Sequence, residues 1–194
     1  MPVTSWDTGP PTPPAAAATG PLVSQAALGR GLAALRIFVG VIFFANGLAK
    51  LTGQRNIEIG WYRGFLIVRD EARGILQFEV NQRDGTGTMV PYLKDIVNDF
   101  ILPNWGLLQW AVTATEIGIG LLLILGIVTR GAALAGLLFQ LFLALVYASS
   151  NRWMFEQPHE YVPLLILAIV PSGRYWGVDG LLLRERPSLR RWPF

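Results

Sequence analysis

A few polar side chains stand inside apolar stretches where such groups are costly, and their spacing outlines a site. Glu116 carries the only charge in the run Trp105–Val128, WGLLQWAVTATEIGIGLLLILGIV. Hydrocarbon does not solvate a carboxylate, so an acid at such depth faces a bundle interior, a partner or a water-filled cavity. At the helical rise per residue it lies about 16 Å from the outer end of the run. Gln140 in the next apolar run lies about 15 Å from the same side, and Asn46 in an earlier run about 8 Å. Tyr147 is nearer the surface, with Lys50 and His159 at the mouth. Turned inward, these six side chains outline a polar cleft that opens outward. Its chemistry suits a small amphipathic molecule such as a quinone, whose carbonyls need hydrogen-bond donors and whose redox coupling needs a protonatable group. Gln140, Tyr147, His159 or Lys50 would donate, and Glu116 would carry the proton; a lipid is the other candidate ligand. The alternative is architectural. Glu116 is then neutral or paired, while Asn46, Gln140 and Thr113 serve as interhelical hydrogen-bonding groups. Arg36, in the inner third of the first apolar run, either snorkels to the inner headgroups or reaches Glu116 across the bundle, with snorkelling the favoured expectation.

Other chemistries find little support. The chain has no cysteine, which removes disulfides, thiol relays and thiolate-ligated clusters. His159 is the single histidine, and its nearest potential axial partner, Met154, lies across Pro158 in a short segment. Glu156 and His159 have the Glu-x-x-His spacing of di-iron bundles, but there is one copy and a proline interrupts it. Neither a metal site nor a catalytic residue is assigned, and no covalently bound cofactor is expected. Gly85-Thr86-Gly87 reads as a turn; GTGT lacks the strand and basic helix start of a phosphate loop. The net charge of +3 is scattered along the chain rather than gathered in a stripe, which argues against nucleic acid.

The elements that must position these groups are membrane helices. Hydrophobic residues form 52% of the chain and charged residues 15%, with mean hydropathy +0.42; soluble domains carry about 25% charged residues. Four apolar spans are expected, at about 32–51, 105–128, 131–150 and 161–178. Pro163 falls in the first turn of the fourth span, and Pro171 should kink or end it. The fold class is therefore an all-α membrane protein, a four-transmembrane-helix bundle with a long extracytoplasmic loop carrying short amphipathic helices. Residues 1–29, rich in Pro and Ala, read as a disordered tail, and 184–194 as a basic C-terminal tail. Basic residues divide evenly between the two sides, but those of the tail sit directly beside the fourth span. Both termini are thereby placed in the cytoplasm. Arg36 and Arg130 are assigned as structural charges. Trp105, Trp110, Tyr147, Trp153, Tyr161, Tyr175 and Trp176 fall near span ends, as an interfacial belt would.

The outer loop, 52–104, is long enough to require structure of its own. Met89, Leu93, Ile96, Val97 and Phe100 recur at helical spacing, opposite Lys94, Asp95 and Asp99. Ile57, Trp61, Phe65 and Val68 suggest a second amphipathic helix, and ILQFEV a short strand.

The segments in order resemble the DoxX/DoxD family of small four-helix bacterial and archaeal membrane proteins, over roughly residues 30–183. LRIFVGVIFFANGLAKL is similar to the first family helix at Arg36, Gly40, Gly47 and Lys50. TEIGIGLLLILGIVTRGAAL matches the second-helix pattern at Glu116, Gly118, Gly120, Gly126, Thr129 and Arg130. PYLKDIVNDFILPNW resembles the amphipathic approach of longer members, and GRYWGVDGLL the family ending at Gly173, Gly177 and Asp179. Some relatives are named as subunits of quinol oxidases or thiosulfate:quinone oxidoreductases. The resemblance thus implies an accessory, quinone-facing subunit in a bacterial or archaeal inner membrane, with other membrane or redox subunits as partners, or else a purely structural subunit.

Overall fold

The computed structural model describes residues 24–81, 87–148, 158–186 and 192–194. Helix α1 spans Gln25–Thr52, opened by Ser24, whose hydroxyl accepts from Ala27 N, and closed by Gly53 at φ 77°. It begins inside the stretch expected to belong to the tail. The reason is local: Ser24 is a good N-cap, and Gln25-Ala26-Ala27-Leu28 are helix formers. Residues 1–23 lie outside the described part of the chain.

Helix α4 (Trp105–Leu125) runs antiparallel to α1, and α5 (Thr129–Val146) returns after a turn closed by Gly126 at φ 71°. These three helices are long and apolar enough to cross a membrane. The expected fourth span divides. Helix α6 covers Pro158–Ile169, a 3-10 turn covers Ser172–Arg174, and a short helix α7 covers Val178–Glu185. Pro171 accounts for the break, since a proline disfavours helical geometry in the residue before it. Pro163 lies inside α6 rather than in its first turn, because the helix starts at Pro158.

Val39 and Phe43 of α1, Ile119 and Leu123 of α4, Ala132, Ala133 and Leu137 of α5, and Leu164 and Leu167 of α6 form the main core. A second core, of Leu76, Val80, Leu93, Val97 and Val146, joins the outer segment to the end of α5.

That outer segment departs from expectation in two places. The stripe Ile57–Val68 forms no helix: Asn56–Ile59 (β1) and Tyr62–Phe65 (β2) pair as an antiparallel hairpin around Gly60, at φ 59°. Ile57 and Ile59 alternate with polar residues, and the positive φ at the turn favours glycine. Conversely, ILQFEV is helical within α2 (Arg69–Val80). Leu76 and Val80, four residues apart, bury the same face, so tertiary packing decides against the weak alternation. Helix α3 (Leu93–Asp95) continues as a π-helical segment, Ile96–Ile101. Met89, expected in that helix, precedes it and is exposed. Asn81 and Asn98 exchange reciprocal amide hydrogen bonds of 2.8 and 2.9 Å, fastening α2 to the π-helical segment.

Candidate functional site

The first helix pair sets the geometry. A Cβ on Gly40 would stand 2.9 Å from Ile124 N, one on Gly47 2.8 Å from Ile117 N, and one on Gly120 2.7 Å from Phe44 Cα. These three glycines let the two backbones touch, a packing mode suited to bilayers, where apolar burial gives helices little reason to associate. One turn beyond Gly47, the close approach delivers Lys50 to Glu116. Lys50 Nζ donates to Glu116 Oε1 at 2.9 Å and lies 2.8 Å from Oε2. Both residues are buried, at 4% and 7% exposure. The pair is close to charge-neutral as a unit, which is how two ions persist so far from bulk water.

The ion pair forms part of the wall of a cleft of about 480 Å³ between α1, α5 and α6. Asn46, Lys50, Glu116, Gln140, Tyr147 and His159 all line it. Their commitments differ. Asn46 Nδ2 donates to Ile42 O of its own helix at 3.0 Å, and Thr113 Oγ1 to Gln109 O at 2.7 Å. Both back-bond within a helix, contrary to the interhelical role considered from sequence. Gln140 Oε1 is buried with no hydrogen-bond partner among the described residues. His159 is exposed and lies in the first turn of α6 rather than in a loop. Glu156, Trp153 and Met154 lie outside the described residues, as do Gly85 and Thr86.

Arg36 neither snorkels nor meets Glu116. It is fully buried, its guanidinium donating to Trp176 O at 2.9 Å and Ser172 O at 3.4 Å. The chain closes around it: a Cβ on Gly126 or Gly177 would strike Arg36 Nη1. The carbonyls of Ser172 and Trp176, after the break at Pro171, supply its acceptors from within the fold. Asp179, also fully buried, accepts from Val128 N at 2.7 Å, Thr129 N at 3.0 Å and Thr129 Oγ1 at 2.8 Å. It thereby satisfies the opening N–H groups of α5 from a distant part of the sequence. These bonds hold Val128 at φ 47°, a left-handed conformation that β-branched residues rarely adopt. Arg130 Nε donates to Ala168 O at 3.1 Å, joining α5 to α6. Neither periodicity nor composition pointed to Ser172 or Trp176; the carbonyls they contribute carry no side-chain signature.

The glycine seam, the acid of the second family pattern and this inner network therefore occupy one continuous helical unit. No match was found among curated proteins or among solved structures. The DoxX family model matches residues 31–149, more than half of the chain, and the protein belongs to the DoxX family of membrane proteins.

Proposed function

We propose that this protein is a four-span inner-membrane subunit of a respiratory or quinone-linked complex, and that the cleft beside Lys50–Glu116 receives the headgroup of a quinone or a lipid. One observation carries this reading: six polar side chains from four helices converge on a single cleft with a buried ion pair in its wall. The donor set fits a carbonyl ligand. Gln140 lines the cleft beside the pair with its amide oxygen unpartnered among the described residues, and Lys50 has further N–H groups beyond the one donated to Glu116 Oε1. A bound quinone would supply two-electron, two-proton redox chemistry. Lys50 and Gln140 would orient its carbonyls, Glu116 would hold or release a proton at a carboxylate oxygen, and the apolar helices would exclude water. Both termini lie on the cytoplasmic side in this account, α6 with the turn after it completes the fourth crossing, and a partner subunit supplies the electron-transfer centre.

The buried pair also favours a second reading, a structural subunit in which Lys50–Glu116 fastens α1 to α4. Glu116→Gln separates the two. Loss of quinone-linked turnover in membranes, with the complex still assembled, is expected for a site; unchanged turnover with an intact complex would leave only the structural role.

A further inference from the structure

A second cavity, of about 420 Å³, adjoins the polar cleft and shares the ion pair in its wall. Its roof is the outer segment: Ala72 and Leu76 of α2, and Ile96, Phe100 and Ile101 of the π-helical segment. Its floor is α4 and α5, from Trp105 to Glu116 on the former. Those two residues are separated by about 16 Å along the helix, close to half the hydrocarbon thickness of a bilayer. The cavity thus runs from the outer interface to the midplane, the length of one leaflet's acyl chain. Its size falls within the range of pockets that hold small molecules.

We infer that this cavity is a site for one acyl chain of an ester-linked membrane lipid, whose ester carbonyl accepts a hydrogen bond from Trp105. Trp105 Nε1 is buried and has no partner among the described residues, although the same indole lines the cavity at its interfacial end. An unpaired buried donor is destabilising until an acceptor reaches it. A modest tilt of the ring presents that N–H to the cavity, at the depth where lipid ester groups lie. Water is a poor occupant, because the walls are almost wholly apolar and offer too few polar partners. The roof includes the π-helical segment. A π-helical segment departs from the regular helical ladder, and such departures recur at functional sites. The two spaces share Lys50, Ile67, Glu116, Phe139, Leu143 and Tyr147, whereas Trp105 and the roof line this one alone, so its test turns on Trp105 and Ala72.

The test uses the full chain in mild detergent, with 1-palmitoyl-2-oleoyl-phosphatidylglycerol and its diether analogue, which lacks both carbonyls, titrated and counted by native mass spectrometry. Wild type should hold one ester lipid through detergent exchange and bind the diether about fivefold more weakly, the value of one neutral hydrogen bond. Trp105→Phe should erase that preference while leaving chain binding, and Ala72→Trp should remove both lipids while the polar cleft remains intact. Equal binding of ester and diether by wild type would overturn the assignment of the carbonyl. Retention of the lipid by a folded Ala72→Trp protein would overturn the cavity, and displacement of the lipid by decylubiquinone at one-to-one stoichiometry would reassign it to a quinone.

Discussion

Two buried charges of the first helix meet different fates. At the inner end Arg36 is enclosed by backbone: its Nη1 and Nη2 donate to carbonyls while Nε is unpartnered among the described residues, and glycines at 126 and 177 leave no room for side chains around it. At the outer end Lys50 meets a carboxylate instead, and the space beside the pair is a cleft with uncommitted polar atoms. The inner arrangement joins α1, the α4–α5 turn and the chain after α6 into one knot. The outer arrangement uses only one helix contact and leaves its surroundings open. A closed network is suited to holding a fold, and a paired but accessible one to meeting a ligand.

The contrast breaks most readily at the inner end. Asp179→Ala strands the Val128 and Thr129 N–H groups together in a buried site, so a loss of roughly 3–5 kcal/mol is expected from combined unsatisfied donors. Thermal unfolding of the detergent-solubilised protein should show it, and Asp179→Asn should recover part of the loss. Lys50→Met should also destabilise by roughly 3–5 kcal/mol, because it leaves Glu116 charged and alone in the bundle. Lys50→Met combined with Glu116→Leu should restore most of that stability, and a double variant as unstable as the single one would show that the pair does more than neutralise itself. Gln140→Leu should be the mildest, within about 0.5 kcal/mol of wild type, since it removes an amide oxygen that has no partner among the described residues.

The helices were legible from sequence because hydropathy reports burial in lipid directly: α1, α4 and α5 follow the expected spans to within a few residues at most ends. The six residues of the polar cleft were reachable by depth alone, since a helix converts residue number into height. What depth could not supply was pairing. Lys50 was placed at the mouth, yet Gly47 brings α1 so close to α4 that its side chain turns inward to Glu116. Arg36 was misplaced for a related reason: its acceptors are backbone carbonyls exposed where Pro171 ends a helix, and a carbonyl is the same in every residue. The hairpin at β1–β2 was missed because four apolar residues at mixed spacing satisfy both periods, and the turn at Gly60 decides between them.

The most direct test of the polar cleft is native mass spectrometry of the protein drawn gently from its own membrane, comparing wild type with Gln140→Leu. A quinone, or a lipid beyond the one held in the cavity at Trp105, retained by wild type and lost from the equally stable variant is the predicted result. Wild type that carries no such ligand, or a variant that keeps it, would contradict the account and leave Lys50–Glu116 as a fastening between two helices.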